Sequence, residues 1–135
     1  MVLLVSAESL PLTSSDHVVV VRQAVRQRAV ELGFSLVDQT KIVTAASELA
    51  RNTVIHGGGG AVTIEAVTEG HRRGLRLTFK DQGPGIADLE LAMKDGFSSA
   101  GGLGLGLSGA KRLSNDFSIT SVPGAGTRVT ITRWK

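Results

Sequence analysis

Two segments in the first half of the chain carry apolar residues at helical spacing. In residues 16–33 an apolar face alternates with a face of arginine, glutamine and glutamate, which favours a helix despite the strand preference of a four-valine run. The apolar face consists of Val18, Val21, Val25, Ala29 and Leu32. A second segment begins at Ser35, has Asp38 where a capping box places an acidic residue, and continues to His56, where four glycines follow. The pattern predicts two amphipathic helices.

Alternating apolar and polar residues predict strands on either side of one glycine-rich region. The predicted strands are residues 1–6, 61–68, 74–80, 117–122 and 127–134, with a loop at Pro11 after the first. Residues 81–102 are predicted to be irregular apart from one helical turn near 88–93, and a further helix is predicted over 103–115. Hairpins supply adjacent strands and the amphipathic helices need one face to cover. We therefore expect an α+β fold, a two-layer α/β sandwich whose mixed, mostly antiparallel sheet is covered on one face by helices.

Length and composition restrict this fold to one domain and exclude several classes of function. With 135 residues and no cysteine, the chain can bury a core without disulfides or thiolate metal sites, and we expect residues 1–135 to form a single domain. A net charge of +3 and few aromatic residues argue against a nucleic-acid interface. No apolar run is long enough to span a membrane, and no basic leader precedes the apolar start. We expect a cytoplasmic protein that binds neither nucleic acid nor membrane.

Glu48, Asn52 and His56 lie four residues apart on the second predicted helix and therefore share one face. One interpretation is an ordinary solvated polar stripe. The other is chemical, because a carboxylate can take a proton while a carboxamide oxygen holds a hard cation beside a phosphate. We interpret His56 as structural. Spacing alone leaves both interpretations of the stripe open.

Asp81-Gln82-Gly83-Pro84-Gly85 lies where a predicted strand ends. Glycines that flank a proline let the backbone turn sharply and approach a ligand closely. An aspartate at this position can accept a hydrogen bond from an exocyclic amine such as that of adenine. The alternative is a plain turn that ends the strand.

A glycine-rich run from Gly101 to Leu107 leads into the last predicted helix, where backbone amides favour phosphate. Gly104, Gly106 and Gly109 also match the dinucleotide-binding fingerprint. That fingerprint requires a strand before it and an acidic residue about 20 positions later, and this sequence has neither. The sequence also lacks the P-loop pattern. A fourth group, Gly126-Thr127, is commonplace in a hairpin when taken alone.

In their order and approximate spacing, these four groups resemble the N, G1, G2 and G3 boxes of the Bergerat ATP-binding fold. This is the GHKL family, which includes gyrase, Hsp90, histidine kinases and MutL. Within the family, residues 47–52 and 81–86 are similar to those of stand-alone serine/threonine kinases of the anti-sigma-factor type, including the switch kinase of the bacterial stressosome. The resemblance covers nearly the whole chain from about Asp16.

The resemblance implies a role for each box. Glu48 is expected to be the catalytic general base on a serine or threonine hydroxyl, Asn52 to hold Mg²⁺, and Asp81 to bind the adenine amino group of ATP. The other expected nucleotide-binding residues are Gly83, Gly85, Gly101, Gly102, Leu103, Gly104, Leu105, Gly106 and Thr127. A lid over the phosphates is expected across residues 86–105.

The resemblance also implies partners, namely STAS-domain antagonist proteins as substrates and a PP2C-type phosphatase that the released kinase binds and activates. An ATPase motor of the gyrase or Hsp90 type would need a further domain, for which 135 residues leave no room. Histidine kinases typically have asparagine where this chain has Glu48, and they need a phosphoacceptor hairpin. A nucleotide-switched adaptor without catalysis stays open as the alternative, although the presence of both Glu48 and Asn52 disfavours it.

Overall fold

The computed structural model describes residues 1–86, 88–93 and 106–135. Its strands are β1 (Leu3–Leu12), β2 (Gly60–Glu69), β3 (Arg72–Asp81), β4 (Asp116–Val122) and β5 (Gly126–Trp134). Its helices are α1 (Ser15–Glu31), α2 (Leu36–Ile55), α3 (Leu89–Ala92) and α4 (Gly106–Arg112). Every element that the apolar pattern predicts is present, so the α+β fold class is confirmed.

The strands form one five-stranded sheet in the order β1-β2-β3-β5-β4. The sequence predicts a mixed, mostly antiparallel sheet, and all four strand pairings among the described residues are antiparallel. The crossing from β3 to β5 places the end of β3 beside the start of β5, since Lys80 pairs with Arg128. Asp81 and Thr127 therefore meet at one end of the sheet.

The largest difference from the prediction lies in β1, which continues to Leu12 instead of ending near Ser6. The predicted loop at Pro11 is wrong, because Pro11 pairs with Ala61 within the strand. β1 forms an edge of the sheet, where proline is tolerated because its missing N–H can face away from the neighbouring strand. The loop that precedes α1 is correspondingly shorter, since only Thr13 and Ser14 separate β1 from that helix.

The helices pack on one face of the sheet, and α2 is central among them. It lies between α1 and α4 and also contacts β1, β2 and β3. Fully buried side chains from both layers form the core, among them Val21, Val25, Ile42, Leu49, Val62, Leu75, Leu77 and Ile131. No helix in the described part of the chain is both long enough and apolar enough to cross a membrane.

A charged contact joins the start of α2 to the end of β5. The Ser35 hydroxyl caps α2 by accepting from the Asp38 N–H at 3.1 Å. The Asp38 carboxylate in turn accepts from the Arg133 guanidinium at 2.7 Å, and Arg133 also donates to the Leu113 carbonyl at 2.9 Å. The hydrogen bond from Arg133 holds the pKa of Asp38 below its usual value. Arg133 thereby connects β5 to α2 and to the residue that follows α4.

Replacing Asp38 with asparagine is expected to destabilise the fold at neutral pH by about 1 kcal/mol, near the upper end for a partly exposed ion pair. Because folding lowers the pKa of Asp38, its contribution is complete above the unfolded value of about 4 and is lost as the pH falls through the folded value. Urea unfolding of wild type and Asp38→Asn from pH 7 to pH 3 should therefore show a difference that narrows toward acid. Glu69→Gln, in the more exposed ion pair with Arg72, is the control and should lower the free energy of unfolding by less than Asp38→Asn does. If the difference in unfolding free energy between wild type and Asp38→Asn stayed constant with pH, the stabilising role of the Asp38–Arg133 ion pair would be contradicted.

Candidate functional site

A cavity of about 290 Å³ lies between α2, the end of β3 and the start of β5. Its apolar lining comprises Leu49, Phe79, Pro84, Ile86, Ala92, Leu107 and Val129. Its polar lining comprises Asn52, Thr53, His56, Asp81 and Thr127. An apolar wall with a few polar groups is typical of small-molecule sites, whose volumes begin at roughly 300 Å³. The cavity is therefore suited to a compact organic group such as a purine ring.

Asp81 ends β3, and one oxygen of its carboxylate is held by two backbone amides. Oδ1 accepts a hydrogen bond from the Gly83 N–H at 2.9 Å and another from the Thr127 N–H at 3.2 Å. No described residue donates to the second oxygen, Oδ2. Since Asp81 lines the cavity, this arrangement presents Oδ2 as an acceptor for an N–H donor on a ligand.

Two glycines pack so closely around Asp81 that neither position has room for a side chain. A Cβ at Gly57 would lie 2.4 Å from Cγ of Asp81. A Cβ at Gly83 would lie 2.5 Å from the carbonyl oxygen of Gly57. The sequence pattern accounts for Gly57 only as part of the glycine run that stops a helix. The structure shows that this position, two residues after α2, must lack a Cβ because the Asp81 carboxylate fills that space.

The hairpin between β4 and β5 supports the turn that follows Asp81. The Gly124 N–H donates to the Pro84 carbonyl at 2.7 Å, and the Ile86 N–H donates to the Ser121 hydroxyl at 2.6 Å. Gly85 has a φ of +76°, which strains any residue with a Cβ, and a Cβ there would also lie 2.4 Å from the Val122 carbonyl oxygen. Gly85 therefore allows the turn to approach the hairpin as well as the cavity.

The polar stripe on α2 is not an ordinary solvated face. Asn52 and His56 line the cavity, whereas Glu48, one turn before Asn52, is only 9% exposed and is not among the described lining residues. No described residue forms a hydrogen bond or ion pair with the Glu48 carboxylate. A buried carboxylate next to an amide that faces a cavity has the proximity that the chemical interpretation of this stripe requires.

The remaining expected residues divide between the cavity and the undescribed part of the chain. Gly106 opens α4 and lines the cavity, as Gly85 and Thr127 do. Gly83 lies behind the lining and holds Asp81 through its N–H. The residues Gly101, Gly102, Leu103, Gly104 and Leu105 lie outside the described residues, as does most of the segment expected to form a lid.

Several residues of the site lie outside the four sequence groups. Phe79 and Val129 pair across β3 and β5, and alternation predicts their burial but not that they line a cavity. Ser121 also lies outside those groups, although it interrupts the inward apolar series of Phe117 and Ile119 on β4. A hydroxyl in place of an expected apolar side chain is the signal that could have identified it.

The described residues contain no group of three His, Asp or Glu side chains that could hold a metal by themselves. A magnesium ion at this cavity would therefore depend on the Asn52 side-chain oxygen together with phosphate and water oxygens. Mg²⁺ commonly keeps several waters and takes few protein ligands when it binds with a nucleotide. The oxygen of Asn52 on the cavity wall fits that donor set.

Comparison with known proteins identifies one matching family and several similar proteins. Residues 37–135 match the family described as histidine kinase-, DNA gyrase B- and HSP90-like ATPase. The chain is 50% identical over 117 residues to serine/threonine-protein kinase RsbT of Bacillus subtilis (strain 168), covering 87% of this chain and 88% of the relative. It is 34% identical over 110 residues to anti-sigma F factor of Bacillus licheniformis, covering 76% and 74%. It is 30% identical over 129 residues to anti-sigma F factor of Thermoanaerobacter sp. (strain X514), covering 91% and 89%.

The family match includes α2 from Val37, the end of β3 and the start of β5, and therefore every described residue that surrounds the cavity. The similarity to RsbT extends over most of the chain, and its identity is high enough to assign the chain to the protein serine/threonine kinases. The chain therefore belongs to the histidine kinase-, DNA gyrase B- and HSP90-like ATPase family, and within it to the protein serine/threonine kinases of the RsbT type.

Proposed function

We propose that this kinase uses Mg²⁺ and ATP to phosphorylate STAS-domain antagonist proteins in the cytoplasm and, when released from them, binds and activates a PP2C-type phosphatase. The observation that carries the nucleotide part is the Asp81 carboxylate, which two amides hold through one oxygen beside an apolar cavity. The partner part rests on the resemblance to anti-sigma-factor-type kinases, and the relatives named as anti-sigma F factors support regulation by protein partners.

The adenine ring is proposed to lie in the apolar part of the cavity, between residues of α2 and β5. Its exocyclic amine donates to Oδ2 of Asp81, which has no donor among the described residues. Thr127 and Gly85 line the same cavity and bound the ring on the side of the hairpin. This assignment gives Oδ2 of Asp81 a hydrogen-bond donor, namely the exocyclic amine on the six-membered ring of adenine.

The phosphates are proposed to extend toward Asn52 and the start of α4. The Asn52 oxygen would hold Mg²⁺, which neutralises phosphate charge when bound. The Gly106 backbone lies on the cavity wall at the helix start, where N–H groups favour anions. We propose that the amides of residues 101–105, outside the described part of the chain, contribute to the same cradle.

Glu48 is proposed as the general base. Its carboxylate takes the proton of the acceptor serine or threonine hydroxyl while the acceptor oxygen bonds to the γ-phosphorus and the bond from phosphorus to the ADP oxygen breaks. The position of Glu48, one turn from Asn52 but outside the described lining of the cavity, supports a role toward the acceptor rather than the nucleotide. Its lack of a protein partner among the described residues leaves the carboxylate available for that proton.

Glu48→Gln is expected to lower the rate of phosphoryl transfer by about 10²- to 10⁴-fold, the range for removal of a general base, while ATP affinity changes little. Glutamine keeps the size of the side chain, so packing on α2 is preserved. The measurement is transfer of labelled phosphate from ATP to a STAS-domain partner, alongside ATP titration. Glu31→Gln, an exposed change at the end of α1, is the control and should retain full activity.

Loss of transfer together with loss of ATP binding in Glu48→Gln would argue against the base assignment, since it would indicate a disturbed nucleotide site. ATP binding by the wild type without transfer to any STAS-domain partner would favour the non-catalytic adaptor. Activation of a PP2C-type phosphatase by the kinase, and its loss when an unphosphorylated STAS-domain partner is added, tests the second role separately.

Asp81→Asn is expected to weaken ATP binding about 10- to 100-fold, the value of a hydrogen bond to a charged group. The asparagine oxygen can still accept from the backbone amides, so its NH₂ group then faces the adenine amine and two donors oppose each other. Isothermal titration with ATP measures the effect. Asp116→Asn, on β4 at the opposite end of the sheet, is the matched control because its carboxylate bonds only the Trp134 indole among described residues. Unchanged ATP affinity in Asp81→Asn would remove the adenine assignment.

A further inference from the structure

Ser121 lies on the helix-facing side of β4, where the strand otherwise has apolar residues. Phe117 and Ile119 are half-buried on that side and pack against the core, whereas Ser118 and Thr120 are exposed on the other. Ser121 continues the inward series, and it is also half-buried. A hydroxyl placed among inward side chains needs hydrogen-bond partners, because a polar group loses water when it is covered.

The Ser121 hydroxyl contacts two separate segments that both border the cavity. It accepts from the Ile86 N–H at 2.6 Å and shares a hydrogen bond of 2.9 Å with the Thr127 hydroxyl. A weaker contact of 3.4 Å joins it to the Gly126 carbonyl oxygen. Ile86 and Thr127 both line the cavity, yet they are separated by 41 positions in sequence. Ser121 is therefore a second side chain, beside Asp81, that connects the turn after Asp81 to the start of β5.

Through Thr127 this connection extends to Asp81. The Thr127 N–H donates to Oδ1 of Asp81 at 3.2 Å, the longer of the two bonds that orient this carboxylate. The χ2 torsion of aspartate has broad minima, so its rotamer preference does not fix the plane of the carboxylate. Hydrogen bonds must set it instead. The Thr127 backbone, which Ser121 stabilises through the Thr127 side chain, therefore provides one of the two hydrogen bonds that set where Oδ2 points.

We propose that Ser121 is a positioning residue that makes the cavity selective for 6-aminopurine nucleotides. This inference rests on the proposed function, because it assumes that Oδ2 of Asp81 accepts from the adenine amine. Ser121 does not touch the base. It acts by holding Thr127 and Ile86 at the spacing that keeps the Asp81 carboxylate aligned with that amine.

The test compares ATP with ITP, whose base carries an oxygen in place of the exocyclic amine. The affinity ratio of ATP to ITP isolates the alignment of Oδ2, because a general loss of stability lowers both affinities together. Ser121→Ala is expected to lower ATP affinity about fivefold, the equivalent of one neutral hydrogen bond, and to leave ITP affinity within about twofold. The ratio of ATP affinity to ITP affinity should therefore be lower in Ser121→Ala than in the wild type.

Two further variants separate positioning from packing. Ser121→Thr keeps the hydroxyl and is expected to restore the wild-type ratio to within about twofold, as a conservative replacement that preserves the bond. Ser118→Ala removes a hydroxyl from the exposed side of the same strand and should leave both affinities unchanged. Equal losses for ATP and ITP in Ser121→Ala, or no loss for either, would overturn the proposal.

The affinities of the wild type and of Asp81→Asn test the proposed function separately from the role of Ser121. Wild type that binds ITP as tightly as ATP, or an Asp81→Asn variant with an unchanged ratio, shows that the amine is not recognised at Asp81. A wild-type ratio well above one that Asp81→Asn abolishes and Ser121→Ala leaves intact keeps the adenine assignment and rejects only the role of Ser121.

Discussion

The two hydrogen bonds that hold Oδ1 of Asp81 are the interaction on which the site depends. One comes from Gly83 in the same segment and the other from Thr127 on a strand that follows 46 positions later. Together they join the end of β3 to the start of β5 and leave the second carboxylate oxygen without a donor among the described residues. Both bonds require close backbone approach, so the surroundings of Asp81 consist largely of glycine: Gly57, Gly83 and Gly126 would each place a Cβ within 2.6 Å of another atom.

α2 serves both the core and the site, and its position between α1 and α4 makes the two roles compatible. Ile42, Leu49 and Ala50 are buried among the apolar side chains of the sheet and neighbouring helices. Leu49 also lines the cavity, and Asn52 lies one turn after it on the same side of the helix. A helix held by many buried contacts positions a polar group more rigidly than a loop can, because the backbone cannot shift without opening the core. The proposed catalytic and metal-binding groups therefore share one helix that is packed into the core.

Sequence predicted those parts of the site that depend on local spacing. The interval from Glu48 to Asn52 follows from helical geometry, and Asp81 follows from the end of an alternating strand. Gly57 and Ser121 depend on contacts between distant segments, with Asp81 and Ile86 respectively, and no local period encodes those contacts. The length of β1 was missed for a similar reason. Proline breaks most strands, and only its place at the edge of the sheet, a tertiary property, makes Pro11 acceptable.

In the proposed adenine site, the different roles of the two oxygens of Asp81 would account for selectivity better than the shape of the cavity would. An apolar wall of this size accepts several planar heterocycles, and the contact of such rings with Leu49 or Val129 differs little among purines. An acceptor with a fixed orientation would distinguish them more strongly, because a base without a donor leaves the carboxylate unpaired and a carbonyl oxygen repels it. Selectivity of this kind requires that the acceptor cannot rotate to find water or another donor. The amides of Gly83 and Thr127 impose that restriction, and anything that loosens either bond should relax selectivity before it abolishes binding.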